Sequence, residues 1–334
     1  MMGLQRLACL AQLGFCLHVT CAARSASPSK FLIVSAPRDS RVSYMRISHG
    51  MQHRSAQGRP EMKSLIGTGL VHPQGLAVEQ KANRLLIADP DARRIFAYPL
   101  HVQGDTLSVG KPGVLVDGVE SRWVSVDGLG NIYFTDEPRN QILKIGRSQT
   151  LRANATPRVV FDGASLTQVS APGGVASDSF HAYWVNKQVG TQVGSVVRGA
   201  ESLGTSILQA DVQPIAKVTD KSYGICLATN NVFFTQPEST IFGVKKGGSS
   251  VVAVSDRLTN PRGCAWDGDG TVYVADRGAN AVYSFASNMP TLSAAQLSKT
   301  VDFQDAFGVA VYSGAARLQR WAALGLALLA AALC

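Results

Sequence analysis

Four short motifs bring cationic and aromatic side chains to comparable places along the chain: Arg122-Trp123, Lys221-Ser222-Tyr223, Asn260-Pro261-Arg262 and Phe307. Each leads into a short apolar segment, WVSVD at Trp123, GICLA at Gly224, GCAWD at Gly263 and GVAVY at Gly308. Guanidinium forks match carboxylates and phosphates, and aromatic rings offer faces to sugars and cations. Brought together, Arg122, Trp123, Lys221, Tyr223, Arg262 and Phe307 would bind an anionic or sugar ligand. Arg38, Arg139, Lys187 and Arg277 add positive charge after other strand-like segments. The carboxylates Asp39, Glu120, Glu137, Glu238 and Asp305 lie near in sequence, and by pairing with these cations they would leave only a solvated rim.

Other residues point to structure before chemistry. Asp127-Gly-Leu-Gly-Asn131 and Asp267-Gly-Asp-Gly270 resemble calcium loops, but lack the twelfth-position glutamate of a full loop. Asp-Gly between two strands is a hairpin signal, and we read both as turns. Asp89, Asp136 and Asp276 end strand-like runs and suit hydrogen bonding to the following turn. Of the histidines, His72 precedes an apolar segment, whereas His49, His53, His101 and His181 lie elsewhere, so no zinc set forms. Cys226 and Cys264 stand apart from Cys9, Cys16, Cys21 and Cys334, which lie near the chain ends. They follow their glycines by two residues and by one, so alternation alone does not decide whether they face each other. Packed sheets lie ~10 Å apart and a disulfide needs Cα atoms within ~7 Å, so two buried free thiols are expected.

The elements that must position these residues repeat. GNIYFTDEPRNQILKI at 130–145 returns as GTVYVADRGANAVYSF at 270–285. Inner strands open at Gly75, Trp123, Gly174, Gly224, Gly263 and Gly308, spaced around the ~45-residue interval of four-stranded propeller blades. Second strands end at Asp89, Asp136, Asn186, Gln236 and Asp276. FLIVSAPRDSRVSYMRI (31–47) has the second-and-third-strand pattern without a first strand, and MKSLIG (62–67) supplies its fourth. GVAVY at Gly308 is then the missing first strand, which closes a ring and removes two open sheet edges. The expected fold is all-β, a six-bladed β-propeller of four-stranded blades.

VDGLGNIYFTDEPRNQILKI and NPRGCAWDGDGTVYVADRGANAVYSF resemble NHL repeats, related to the gluconolactonase/regucalcin-like propellers. The resemblance covers about residues 31–313 and implies the fold; such propellers act as enzymes, ligand binders and adhesion modules. Amidating lyases of this kind hold zinc with histidines from several blades, and gluconolactonase-like members hold a divalent cation with carboxylates and amides at the channel mouth. The matching positions here are Gln74, Arg122, Gly173, Tyr223, Arg262 and Phe307, without a carboxylate. No metal, cofactor or catalytic residue is therefore assigned.

The ends differ from the rest. Residues 1–23 carry one charge, Arg6, an apolar run and then small residues, the layout of a secretory signal peptide; an organelle transit peptide is the alternative. Residues 24–314 form the propeller. Residues 315–334 end in fourteen apolar residues, WAALGLALLAAALC, which as a helix reach ~21 Å against a ~30 Å hydrocarbon core. Preceded by Ser313, Gly314, Ala315 and Ala316, they suit a GPI-attachment signal, with a short membrane anchor as the alternative. Arg6, Arg317 and Arg320 lie in those ends, so the 32 basic and 23 acidic residues become 29 and 23, a moderate surplus without a basic run that would suit nucleic acid. Asn154-Ala-Thr156 is a glycosylation sequon, and the insertion 48–63 is basic and polar, expected as a mobile loop.

The expectation is a secreted or surface-anchored monomeric propeller, a glycoprotein held to the membrane by its C-terminal segment. It would bind a protein, glycan or anionic small molecule at the channel mouth. The alternatives are a gluconolactonase-like hydrolase with an altered or metal-free site and a cytosolic tail-anchored scaffold.

Overall fold

The computed structural model describes residues 29–47, 61–187, 193–200, 212–248 and 250–314. Residues 1–23, expected as a signal peptide, the segment 315–334 and most of the 48–63 insertion, with His49 and His53, lie outside the described residues.

Six antiparallel sheets follow one another around an axis. Blade one contains β1 (Lys30–Ala36), β2 (Arg41–Ile47) and β3 (Lys63–Ile66). Blade two contains β4 (Leu76–Glu79), β5 (Arg84–Asp89), β6 (Arg94–Gln103), β7 (Thr106–Val109) and β8 (Gly113–Asp117). Blade three contains β9 (Ser121–Val126), β10 (Ile132–Asp136), β11 (Gln141–Ile145) and β12 (Arg158–Asp162). Blade four contains β13 (Pro172–Ser177), β14 (His181–Asn186), β15 (Ser195–Ala200) and β16 (Val212–Lys217). Blade five contains β17 (Ile225–Ala228), β18 (Asn231–Thr235), β19 (Ile241–Lys245) and β20 (Val252–Ser255). Blade six contains β21 (Pro261–Trp266), β22 (Thr271–Asp276), β23 (Ala281–Ala286) and β24 (Ser298–Asp302).

The last strand, β25 (Val309–Ser313), pairs with β1 and completes blade one as its innermost strand, with Phe31 opposite Tyr312 and Ile33 opposite Ala310. Ring closure by the C-terminal strand, expected from the repeat, is thus observed. Blade two departs from four strands because β6 runs on past Pro99. Its first half pairs with β8, and its second half forms a hairpin with β7 through Gly104, whose φ of 59° glycine accepts readily.

Side-chain alternation builds the core. Along β1, Phe31 and Ile33 enter the seam with blade two, while Leu32 and Val34 enter the seam with blade six. Each neighbouring pair of blades encloses such a cluster; Phe161 and Trp184, 4.9 Å apart, anchor the seam between blades three and four. Complete burial of a large apolar side chain contributes about 1.5–3 kcal/mol, so the six seams supply most of the stabilisation.

The glycines that open inner strands answer to close approach. A Cβ at Gly224 would lie 2.1 Å from the Arg262 carbonyl oxygen, and one at Gly308 would lie 2.1 Å from that of Gln74. Neighbouring inner strands are tied directly: Gly75 N–H donates to Arg122 O at 3.0 Å, Gly174 to Tyr223 O at 2.6 Å and Gly263 to Phe307 O at 2.9 Å. Two hydroxyls add to the ring, Ser35 donating to Gln74 O at 2.6 Å and Thr235 to Arg262 O at 2.7 Å.

The expectation of free thiols is corrected here. Cys226 on β17 and Cys264 on β21 form a disulfide with Cα atoms 5.7 Å apart. The ~10 Å spacing holds for stacked sheets at mid-blade, whereas inner strands converge on the axis. There the blades come within disulfide reach.

Candidate functional site

Two sets of loops meet at one end of the axis: those leading into inner strands, and those following β1, β10, β14 and β22. Trp123 occupies the place that glycine takes in the other blades, and its ring reaches across the axis to stack on Phe307 at 5.5 Å. Both are buried, at 7% and 6% exposure. They form an aromatic layer across the axis, with Tyr223 packed beside it.

Cations surround this layer. The Arg262 guanidinium lies 4.4 Å above the Tyr223 ring, the Lys187 ammonium lies 5.4 Å from the same ring, and Arg277 lies 5.7 Å from the Phe307 ring. Three carboxylates offset part of the charge. Glu137 pairs with Lys187 and stands 3.4 Å from Arg122, which also reaches Glu120 at 2.9 Å. Asp305 accepts from Arg277 Nε at 2.5 Å and from the Arg38 backbone N–H at 2.6 Å.

Arg262 differs from its neighbours. Its Nη1 donates to the carbonyl of the preceding Pro261 at 3.2 Å, and its buried Nε has no hydrogen-bond partner among the described residues. Burial lowers the Arg262 pKa from its ordinary value and the charge of Arg277 adds to the effect, against the pull of Tyr223 and of the Asp276 carboxylate. Burial likewise lowers that of Lys187, against the pull of Glu137, with Arg122 and Arg262 adding repulsion. The cluster therefore concentrates positive charge on half-buried groups, with Arg262 outside every carboxylate pair described.

Of the six residues expected at the mouth, the structure gathers Arg122, Trp123, Tyr223, Arg262 and Phe307. Trp123 and Phe307 form the floor, not exposed stacking platforms. Lys221 is exposed at the edge, with its backbone N–H on Asp220 Oδ1 at 2.6 Å. Asn154 is exposed in the loop after β11, its backbone N–H held by Val114 O at 3.1 Å. Sequence reasoning placed Lys187 and Arg277 on this end, with Glu137 near them in sequence, but not which rings the two cations meet.

The remaining motifs serve the frame. Asp89 accepts from the Val71, His72 and Ala92 N–H groups, and Asp276 from those of Thr259, Asn260 and Ala279. His72 itself lies 3.9 Å from Asp91. Asp127 caps its own turn through Leu129 and Asn131 N–H, and Asp267 does so through Asp269, Gly270 and Thr271 N–H. Lys30 sits where a metal would in the second loop, 2.6 Å from Asp269 and 3.4 Å from Asp267. Among the described residues no group of three or more His, Cys, Asp or Glu is placed to hold a metal ion.

Beneath the aromatic layer a cavity of about 260 Å³ follows the axis, lined by residues of all six inner strands, including Ser125, Ser177, Leu227 and Trp266. Among the described residues no helix is long and apolar enough to cross a membrane.

No protein-family model and no curated protein matches the chain. Solved structures do. A chain in a nidogen/laminin complex superposes with a TM-score of 0.64 at 13% identity, covering 84% of this chain and 98% of that one. The gluconolactonase XC5397 from Xanthomonas campestris superposes at 0.56 with 16% identity, covering 87% and 96%. The virginiamycin B lyase from Staphylococcus aureus superposes at 0.50 with 13% identity, covering 85% and 88%. At such identity the likeness is one of fold, spanning a complex-forming protein and enzymes alike.

Proposed function

We propose that this protein is a secreted or surface-anchored binding module that takes an anionic ligand at the end of its axis. The observation that carries this reading is Arg262: a half-buried guanidinium stacked on Tyr223, outside every carboxylate pair among the described residues, beside Lys187 and Arg277. An incoming carboxylate, sulfate or phosphate supplies the charge-assisted hydrogen bond that Arg262 lacks, over a rigid aromatic floor. An acidic sugar uses both features, its anion on Arg262 and an apolar face on Tyr223. A fold neighbour's place in a nidogen/laminin complex supports extending the ligand class to an acidic patch on a protein. The disulfide supports an oxidising compartment, in agreement with residues 1–23 as a signal peptide, Asn154 as a glycan acceptor and 315–334 as a GPI signal or short anchor.

The test is a binding screen of sugar acids, phosphorylated sugars and acidic glycans against wild type and Arg262→Ala. At least one class should bind wild type. The variant should lose about 2–3 kcal/mol of affinity, the worth of a hydrogen bond to a charged group, with an unchanged melting temperature. Should every class fail on wild type, the cations serve only as a solvated rim.

A further inference from the structure

The opposite end of the axis carries a different surface. There the hairpins between first and second strands turn on an aspartate whose carboxylate folds inward. Asp127 accepts from Leu129 and Asn131 N–H, and Asp178 accepts from Phe180 and His181 N–H. Asp178 is also held by Lys246 at 3.1 Å, and Asp267 and Asp269 are held by Lys30. This geometry pushes the residue two positions after each aspartate to the tip. In blade six the tip is Asp269, but in the adjoining blades three and four it is Leu129 and Phe180, exposed at 54% and 75%. The two hairpins adjoin, since a Cβ at Gly128 would lie 3.4 Å from Ser179 Oγ. Leu151, at 77%, stands in the loop after β11 at this same end. The exposed cations Lys81, Arg147 and Arg152 accompany them; Lys81 Nζ donates to Gly128 O at 2.6 Å.

The described chain also begins and ends here. Gly314 N–H donates to Ser29 O at 2.9 Å, and Ser313 N–H is tied to Gln80 Oε1 in the hairpin of blade two. Six residues, 315–320, with Arg317 and Arg320 among them, separate Gly314 from the fourteen apolar residues 321–334. Fully extended, they reach about 20 Å at ~3.3–3.6 Å each. A lipid attached near Ser313 gives a still shorter tether.

We propose that this end of the propeller rests on a lipid bilayer, with Leu129, Leu151 and Phe180 entering the headgroup boundary. The proposal rests on the reading of 315–334 as a membrane attachment. Apolar tips flanked by cations, with the local carboxylates turned inward or paired, suit an interfacial surface. Both ligand site and tether then find their places: the cation cluster faces away from the membrane, towards soluble partners.

The experiment uses the full chain reconstituted in phosphatidylcholine–phosphatidylserine vesicles that carry a photoactivatable lipid, with labelled residues mapped by mass spectrometry. Labels are expected in 321–334 and also at 127–131 and 178–181, the latter about tenfold above the loops at the Arg262 end. Leu129→Ser/Phe180→Ser, on exposed tips that the core does not use, should return the hairpins to background while 321–334 stays labelled. Label in 321–334 with wild-type hairpins at background overturns this proposal and leaves the attachment standing. No label in 321–334, with a form carrying a lipid anchor at Ser313 also failing to bind the vesicles, overturns the attachment and the proposal with it. Crosslinks joining these hairpins in two copies of the chain would assign the surface to self-association instead.

Discussion

Arg262 and Glu137 set the balance of charge at the axis. Glu137 neutralises Lys187 and reaches Arg122, so Glu137→Gln should strengthen anion binding while Arg262→Ala weakens it. Trp123 is the second decisive residue. Trp123→Gly restores what the other blades carry, yet removes the ring on which Phe307 stacks and opens the axis. A cost of about 3–5 kcal/mol is expected in urea unfolding, the range for emptying a large aromatic site. Asp267 gives a pH signature. Burial works against its charge, but hydrogen bonds from Asp269 and from Thr271 N–H, with the Lys30 ammonium, bring its pKa down to about 2. A carboxylate held below its unfolded value stabilises fully above ~3.9 and loses that contribution as the pH falls through the folded value. Between pH 4 and 2 wild type should therefore lose about 1–2 kcal/mol more stability than Asp267→Asn, a difference that acid titrations of thermal unfolding can measure.

The inner strands explain what the sequence made legible and what it hid. Their opening glycines are visible in the repeat, because each must let a neighbouring carbonyl approach, as at Gly224. The count of inner strands revealed the closure, and the strand-ending aspartates read as turn ligands do act so. The disulfide was hidden because a mean sheet spacing says nothing of convergence at the axis. Lys30 and Asp267 pair across 237 residues, beyond any local pattern. At the site, residue types and the end of the axis were legible. Which carboxylate takes which cation was not, since proximity in sequence does not aim side chains: Asp39 turns to Arg41 at 3.0 Å, and Arg262 forms no direct ion pair among the described residues. Replacing Cys226 and Cys264 together by serine should cost about 2–4 kcal/mol in reversible unfolding. In the unreduced, unfolded protein neither thiol should react with an alkylating reagent; reaction of both would restore the free-thiol expectation.

At the scale of the whole molecule, β25 carries the closure. It supplies the innermost strand of blade one and buries Val309 and Val311 against blade six and Ala310 and Tyr312 against blade two. A chain ending at Ala306 should lose cooperative stability throughout, seen as a large drop in melting temperature; local fraying alone would refute a closed ring. The closed ring in turn holds Arg122, Tyr223, Arg262 and Phe307, which come from different blades, in one rigid cluster. Binding at that cluster is the central claim, and calorimetric titration of the tightest anion into wild type, Arg262→Ala and Glu137→Gln at one ionic strength tests it most directly. The account predicts affinity falling at least about tenfold with Arg262→Ala and rising with Glu137→Gln, all three proteins melting alike. Equal affinities in the three would place the ligand elsewhere and contradict it.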